Sequence, residues 1–343
     1  MKIGNREIAG RNLLIAALGL VVCVTAAWLA PFFLTGAPGD GMVKIRRGST
    51  IDAVSDSLQS SVDVTFGKRV ARLLSLTGAD LSERHGAFKV NKGDSPFTVM
   101  RRLRSGQPSG IRFTFNNVRT KEEWAARVGD VFMMEKDEML KALNDSALCA
   151  KYGKTTDNIT AMLLPDSYEF YWDITPEQLL DRMHDYYNQF WTEERVAQAK
   201  ALGLTPEQVA TIASIVEEET SKTDERGKVA RLYLNRVAQH MPLQADPTVK
   251  FAIGDFSIRR ITLDMLRTPS PFNTYRNPGI PPGPIRLAEK ATLDAVLDAP
   301  KHDYIYMCAK EDFSGYHNFS ASYAEHMANA HRYQVALNVR GIK

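Results

Sequence analysis

The sequence predicts an α+β protein with a single N-terminal transmembrane helix, a small α/β module and a larger mixed α+β domain. Three observations predict this architecture: an uncharged apolar run near the N-terminus, an internal strand–turn–helix repeat after it, and a succession of helix signals in the remainder. The length of 343 residues suits about two domains of ordinary size. We place a cytoplasmic tail at 1–12, the transmembrane helix at 13–35, the module at 36–112 and the larger domain at 113–343.

The apolar run extends from Leu13 to Thr35 and contains no charged residue. Spanning a bilayer needs about 20 apolar residues, so the run is long enough. Trp28, Phe32 and Phe33 lie near one end, where aromatic rings favour the membrane–water boundary. A cleaved secretory signal usually has a shorter apolar stretch, so we expect an uncleaved single-pass anchor. Basic residues flank both ends of the run almost equally, so the charges do not determine its orientation. The short N-terminal tail favours an orientation in which most of the chain lies outside the cytoplasmic membrane.

Composition and charge exclude several classes of protein. Hydrophobic residues make up 44% of the chain and charged residues 24%, which is typical of a folded globular protein. The formal net charge of +3 is small, and no zinc-finger, RNP or phosphate-loop pattern is present, so we expect no nucleic-acid partner. The histidines and cysteines lack metal-ligand spacing, so we expect no metal. Cys23 lies in the apolar run, which leaves Cys149 and Cys308 either as a disulfide pair or as two free thiols.

The module contains an internal repeat. Ile45–Leu58 reads IRRGSTIDAVSDSL and Val90–Leu103 reads VNKGDSPFTVMRRL. Each copy predicts a strand, a glycine turn and a helix, with Ser49 or Asp94 available to cap the helix. This pattern resembles the LysM-like module, a small fold associated with glycan binding. The resemblance implies that residues 36–112 act as a binder, a spacer or both.

The larger domain begins with IRFTF at Ile111–Phe115, which alternates like a strand. Thr120 predicts a helix cap immediately before the first of three helices. These helices are predicted at Lys121–Val128, Glu135–Leu143 and Pro176–Trp191. Between the last two lies LLPDSYEFYW, Leu163–Trp172, a stretch rich in aromatic residues around a Pro-Asp turn.

The strongest chemical signal lies in a helix that begins after Thr205, where Thr205, Pro206 and Gln208 form a capping-box pattern. Val209, Ile212 and Val216 form an apolar stripe along this helix.

Three consecutive glutamates lie at the C-terminal end of this helix, and a helical wheel places their side chains in different directions. Glu218 points opposite the apolar stripe and should be solvated, while Glu217 and Glu219 lie on its two edges, about 160° apart. The side of Glu217 is lined by small residues, which leaves room for a bulky group to approach. These are Ala210, Ala213, Ser214 and Ser221. Burial at an apolar border raises the pKa of a carboxyl group, as a general acid requires. From the residues alone, three exposed helix carboxylates remain the alternative.

A series of motifs follows SIVEEET in order: LNRV at Leu234–Val237, LQADPTV at Leu243–Val249, PFNTYRNPGIPPGPI at Pro271–Ile285 and HNF at His317–Phe319. Together with LLPDSYEF, they resemble the MltG/YceG-like endolytic murein transglycosylases from Leu163 to about Tyr333. The resemblance implies an enzyme that cuts peptidoglycan in cell-wall synthesis and glycan strand termination. It also implies that the first glutamate of the segment, Glu217, is catalytic.

The chemistry that the resemblance implies is cleavage between N-acetylmuramic acid and N-acetylglucosamine without water. Glu217 would protonate the bridging oxygen and then act as base towards the 6-hydroxyl of the muramyl sugar, which leaves a 1,6-anhydro end. One carboxyl group suffices because the attacking hydroxyl belongs to the substrate, whereas glycosidases that use water normally need two. No cofactor is required.

The remaining motif residues are expected to hold sugars through hydrogen bonds or stacking. These candidates are Glu219, Asp246, Gln244, Asn273, Tyr275, Tyr168 and His317. Glu219 could instead orient its neighbours or pair with a base such as Lys222, and Arg236 is expected to pair with an acid. The run NPGIPPGPI should form a rigid loop, either as a cleft wall or as a plain connector.

The sequence departs from the family pattern in two places: at Glu218, where a basic or other residue is common, and at Arg286-Leu-Ala-Glu, where an Asn-Pro-Gly run would be expected. The expected partners are peptidoglycan glycan strands and the cytoplasmic membrane, with wall-synthesis enzymes as further candidates. A non-catalytic peptidoglycan-binding scaffold is the main alternative. A pyridoxal-phosphate lyase ranks last, because no lysine lies in a phosphate-binding loop.

Overall fold

The computed structural model describes residues 3–341, with side chains from residue 12 onward. The first two residues of the predicted cytoplasmic tail and the last two of the larger domain lie outside the described residues. The chain divides into two compact units. Unit 1 comprises Met1–Arg112 and Glu169–Ile174, and unit 2 comprises Phe113–Tyr168 and Thr175–Lys343.

Helix α1 (Ile3–Phe33) contains the predicted apolar run except for its last two residues, Leu34 and Thr35. Its segment Asn12–Phe33 is long and apolar enough to cross a membrane, and no other helix of the described residues is. At about 1.5 Å per residue, 22 residues extend for roughly 33 Å, close to the thickness of a bilayer core. The apolar side chains from Leu13 to Leu29 are exposed, as a membrane anchor requires, whereas Phe32 is buried in the core of unit 1. A signal sequence would pass the same test of length and composition.

Unit 1 contains a two-stranded antiparallel sheet of β1 (Gly41–Ile45) and β2 (Gly86–Val90). Helices α2 (Ile51–Ser61) and α4 (Pro96–Ser105) pack against it, and α3 (Val64–Leu76) packs against both of these helices. Apolar residues of both strands and all three helices form one buried core. Among them are Val43, Ile45, Leu58, Leu74, Phe88 and Leu103.

The predicted strand–turn–helix repeat is confirmed in both copies, but its helix caps lie one residue later than predicted. Thr50 and Ser95 cap helices α2 and α4. Ser49 instead accepts a hydrogen bond from the backbone N–H of Arg46 at 3.1 Å, and Asp94 accepts one from Asn91 at 2.8 Å. These two side chains therefore close equivalent turns rather than cap the helices. The resemblance to a LysM-like module stays a prediction.

Strands β3 (Gly110–Phe115) and β4 (Asp166–Tyr171) pair with each other. A boundary between unit 1 and unit 2 falls inside each of these strands. The helices of the first part of unit 2 are α5 (Lys121–Val131), α6 (Lys136–Leu143), α7 (Ser146–Lys151), α8 (Pro176–Phe190) and α9 (Glu193–Ala201), with a 3-10 helix at Ile159–Met162. The predicted strand and the three predicted helices are confirmed to within a few residues at their ends. Cys149 and Cys308 are free thiols.

The later part of unit 2 is arranged around helix α10 (Pro206–Glu219), which is buried from Val209 to Glu217. Its capping box between Thr205 and Gln208 is confirmed. The other elements are α11 (Arg226–Ala238), α12 (Asp246–Ile253), a 3-10 helix at Met265–Arg267, α13 (Lys290–Leu297), the antiparallel strands β5 (Tyr306–Ala309) and β6 (His317–Ser320), and α14 (Tyr323–Val339). Helices α11, α12 and α13 all pack against α10, which explains its burial on several sides.

Candidate active site

Glu217 lies in a closed polar cluster rather than at a cleft. Its side chain is only 2% exposed, and Oε2 lies 3.0 Å from Nε of Arg286. Oε1 accepts hydrogen bonds from the backbone N–H of Glu289 at 2.7 Å and from the hydroxyl of Thr292 at 2.5 Å. Both carboxyl oxygens are therefore engaged within the protein.

The small residues beside Glu217 do not leave room for a substrate. Helix α13 packs along this side of α10, and the hydroxyl of Ser214 accepts a hydrogen bond from the backbone N–H of Ile285 at 3.0 Å. The predicted open approach is therefore wrong, because a segment about 70 residues further along the chain fills the space. Burial raises the pKa of Glu217, although the hydrogen bonds from Thr292 and Glu289 and the charge of Arg286 oppose that shift.

Glu218 is not solvated, so that prediction is wrong. Its side chain is 16% exposed and accepts two hydrogen bonds from Arg119, at 3.0 and 3.2 Å. Nη1 of Arg286 donates a further one at 2.8 Å. The helical wheel assigned this side to solvent because only one apolar stripe was visible, but two arginines from other segments cover it. Glu218 and Arg286, both at places where we expect a departure from the family pattern, thus form an ion pair with each other.

Glu219, the last residue of α10, lines a pocket of about 360 Å3 in unit 2. The hydroxyl of Tyr233 donates a hydrogen bond to its Oε1 at 2.9 Å. Burial raises the pKa of Glu219 to about 7, and the nearby carboxylate of Asp246 acts in the same direction. Negative charge at the C-terminal end of a helix is also unfavourable. Glu219 therefore has the properties of a general acid near neutral pH, and it faces an open space.

Four of the other predicted sugar-binding residues line the same pocket: Gln244, Asp246, Tyr275 and His317. The hydroxyl of Tyr275 donates a hydrogen bond to Oδ1 of Asp246 at 2.6 Å. Gln244 has a positive φ of 52°, which is uncommon for a residue with a side chain and stores strain beside the pocket. The pocket thus combines acceptors, donors and an aromatic ring, the groups that bind sugar hydroxyls and sugar faces.

The remaining two predicted sugar-binding residues, Asn273 and Tyr168, lie in the protein interior. The amide of Asn273 donates to the carbonyl oxygens of Leu266 and Thr268, and its Oδ1 accepts from the backbone N–H of Tyr275 at 3.0 Å. The hydroxyl of Tyr168 donates to a backbone carbonyl, and its ring stacks on another core residue. The geometry thus does not support a direct sugar contact by either residue, although Asn273 holds the backbone that carries Tyr275.

A buried carboxylate that the sequence did not single out holds His317 in place. Glu225, at the start of α11, accepts hydrogen bonds from the backbone N–H of His317 at 2.9 Å and from the hydroxyl of Thr220 at 3.2 Å. Its Oε2 also lies 2.8 Å from Nδ1 of His317. Because Nδ1 is engaged, Nε2 is the imidazole nitrogen left for the pocket.

Other lining residues were missed or given a different role. Tyr233, Tyr306 and His326 line the pocket, and none was predicted. Arg236 also lines it, but it binds backbone carbonyls rather than the predicted acid. Lys222 lies over the ring of another residue and does not pair with Glu219.

The proline-rich loop after Asn277 does not line this pocket. Gly283 approaches the carbonyl oxygen of Asp157 so closely that a Cβ there would lie 2.0 Å from it. The loop therefore packs against another part of unit 2, where its Pro284 lines a separate pocket of about 580 Å3, and glycine is required at the contact with Asp157.

Comparison with known proteins identifies the family. The model of the YceG-like family matches residues 43–332, which include most of both units and every residue that lines the pocket. The chain belongs to the YceG-like family. The endolytic murein transglycosylase of Bacillus subtilis (strain 168) is 27% identical to this YceG-like protein over 312 residues, covering 86% of this chain and 85% of the relative.

One further relative and one solved structure are also similar to this chain. The endolytic murein transglycosylase of Streptococcus pneumoniae serotype 2 (strain D39) is 27% identical over 208 residues, covering 57% of this chain and 36% of that longer protein. The crystal structure of a putative yceG-like protein from Listeria monocytogenes aligns with a TM-score of 0.57 at 24% identity. It covers 84% of this chain and 98% of the other, and it shows that the two share a fold.

Proposed function

We propose that this YceG-like protein is a peptidoglycan lytic transglycosylase, held in the bacterial cytoplasmic membrane by α1 with residues 36–343 outside the cytoplasm. Relatives from two bacteria carry the name endolytic murein transglycosylase, and one of them aligns with most of this chain. The observation that carries the proposal is a carboxyl group with a pKa of about 7 in a pocket lined by tyrosines, histidines and an amide. The module at 36–112 would bind or space the glycan.

The general acid in this proposal is Glu219 rather than Glu217. Both carboxyl groups have a raised pKa, so protonation alone does not distinguish them. Access does, because a general acid must come within hydrogen-bonding distance of the glycosidic oxygen. Glu217 is enclosed by α13 and paired with Arg286, whereas Glu219 lines an open pocket.

Tyr233 determines which oxygen of Glu219 holds the proton. Its hydroxyl donates to Oε1, so in the neutral acid the proton resides on Oε2. Oε2 would donate that proton to the oxygen between the muramyl sugar and the glucosaminyl sugar as their bond breaks. The resulting carboxylate would then accept the proton of the muramyl 6-hydroxyl, whose oxygen bonds to the anomeric carbon. A 1,6-anhydro end forms, and Glu219 regains its proton.

The other pocket residues would bind and orient the sugars on either side of the broken bond. Asp246 and Gln244 offer acceptors and an amide donor to hydroxyl and acetamide groups. The ring of Tyr275 would stack on a sugar face, and its hydrogen bond to Asp246 fixes its position. His317, oriented by Glu225, would present Nε2 to the substrate.

Mass spectrometry of the products released from purified peptidoglycan tests this proposal. Detergent-solubilised full-length protein is incubated with sacculi, and the ends of the soluble fragments are identified. We expect muramyl ends with the 1,6-anhydro ring. Reducing ends would make the protein a hydrolase, and binding without release of fragments would favour the non-catalytic scaffold; either result contradicts the proposal.

A further inference from the structure

A second pocket of about 640 Å3 adjoins the Glu219 pocket within unit 2. Two residues, Asp246 and Tyr275, line both pockets. Their side chains are joined by the 2.6 Å hydrogen bond from the tyrosine hydroxyl to the carboxylate. The two spaces therefore meet at this hydrogen-bonded pair. Both volumes lie within the range of about 300–1,000 Å3 that is usual for small-molecule sites.

One wall of the second pocket comes from the segment that follows α12 and runs into the 3-10 helix at Met265–Arg267. It contributes Arg260 and the apolar side chains of Ile261, Leu263 and Leu266. Leu263 is 79% exposed, which is high for a leucine that lines a concave surface. Arg260 is exposed and has no hydrogen-bond or ion-pair partner among the side chains described, those of residues 12–341. This wall thus offers a free cation and an apolar surface in the pocket that the carboxylate of Asp246 also lines.

This combination suits one sugar that carries an acid. The apolar side chains can cover the carbon face of a pyranose ring, and Asp246 can accept a hydrogen bond from a hydroxyl. A free guanidinium pairs with a carboxylate more readily than with any neutral group of a sugar. Muramyl residues bear such a carboxylate, either on a free lactyl group or on the stem peptide attached to it. A glucosamine residue bears none.

We infer that the second pocket is a strand-binding subsite that holds a further muramyl residue of the same glycan strand whose bond is cut at Glu219. Arg260 pairs with the carboxylate of that residue, and Leu263 packs on its ring. The inference rests on the proposed function, because it takes the strand as the ligand of the first pocket. A strand held in both pockets extends well beyond the bond that is broken, as cutting within a strand requires.

Binding of strands to full-length protein tests the inference. The Glu219→Gln protein is used so that the strands stay uncut, and Kd is measured for strands stripped of peptides and for strands with intact stem peptides. Adding Arg260→Ala should weaken binding about threefold to fivefold in at least one of the two arms. An effect with stripped strands assigns the lactyl carboxylate, and an effect with intact strands alone assigns the stem peptide.

Arg259→Ala is the matched control, since Arg259 is the neighbouring exposed arginine and does not line either pocket. It should leave Kd unchanged in both arms. The affinity gap between the Arg260→Ala protein and its parent should also close as ionic strength rises, because an exposed ion pair is screened by salt. Leu263→Ser should weaken binding independently of salt.

Equal Kd values for the Arg260→Ala protein and its parent in both arms would overturn the inference, even if strands are still cut. Strand binding that depends on Arg260, in a wild-type protein that releases no anhydro ends, would overturn the proposed function and leave the subsite in place. The two failures are therefore distinguishable.

Discussion

The two outer glutamates of α10 lie two residues apart on one helix, yet their surroundings differ in kind. Glu217 is enclosed by α13, and every contact that the structure gives it is with the protein itself. Glu219 accepts one hydrogen bond from Tyr233 and otherwise faces a pocket. A raised pKa is common to both, so the comparison shows that access rather than acidity separates a structural carboxyl group from a catalytic candidate.

Removing Arg286 tests whether the closed cluster around Glu217 contributes to stability. Arg286→Ala leaves the nearly buried carboxyl of Glu217 without its closest positive partner, and loss of one member of a buried ion pair typically costs about 3 to 5 kcal/mol. We expect the free energy of unfolding to fall by about 3 kcal/mol in urea denaturation. Arg259→Ala, which removes an exposed arginine, should change it by less than about 0.5 kcal/mol. Equal effects of the two substitutions would mean that the cluster around Glu217 contributes nothing to stability.

The pH dependence of the cleavage rate tests the role of Glu219. The reaction begins with the neutral acid, and the pKa of Glu219 is raised to about 7. In the pH profile of cleavage, kcat/KM should therefore be highest below pH 7 and fall about tenfold for each pH unit above it. The measurement is the initial rate of release of anhydro fragments from sacculi between about pH 5 and pH 9, a range that brackets this pKa. A rate that stays constant through the alkaline half of that range would exclude a single acid with this pKa.

Tyr233→Phe probes the one hydrogen bond that Glu219 accepts. The tyrosine hydroxyl stabilises the charged form, so its removal should raise the pKa of Glu219 further. The descending limb of the pH profile should move to higher pH, while kcat at its maximum falls about tenfold because the carboxyl group is less well oriented. A limb that moves to lower pH would contradict the assigned contact.

Glu225→Gln should have the smallest effect, because Glu225 acts only through His317. The amide oxygen can still accept the backbone hydrogen bond of His317, but it no longer carries the charge that faces the imidazole. We expect KM for glycan strands to rise about threefold with kcat nearly unchanged. A large fall in kcat with KM unchanged would instead assign His317 a part in the bond-breaking step.

Local signals in the sequence predict the secondary structure well. The capping box of Thr205 and Gln208, the cap at Thr120 and the alternating strand at Ile111–Phe115 all depend on neighbours within a few residues, and all three elements form as predicted. The one local error is the position of the caps after Gly48 and Gly93. Those glycines adopt positive φ values as turn residues. In the polar pair that follows each of them, the first residue closes the turn and the second caps the helix.

The site is predicted only in part, because its decisive contacts join distant segments. Family motifs indicated Asp246, Tyr275 and His317, which do line the pocket. The helical wheel could not show that α13 fills the side of Glu217, since that contact depends on Thr292, 75 residues away. Tyr233 was missed for the same reason, because it reaches Glu219 from the next helix.

The most direct test of the central claim compares Glu219→Gln with Glu217→Gln in digestion of purified peptidoglycan, after unfolding measurements show that both proteins are folded. In the Glu217→Gln protein, the new amide oxygen can still accept hydrogen bonds from Thr292 and Glu289, and Arg286 keeps its pair with Glu218. We predict that Glu219→Gln lowers the rate by about 100- to 10,000-fold, whereas Glu217→Gln stays within about tenfold of the parent. The reverse result, a folded Glu217→Gln protein without activity beside an active Glu219→Gln protein, would contradict the account.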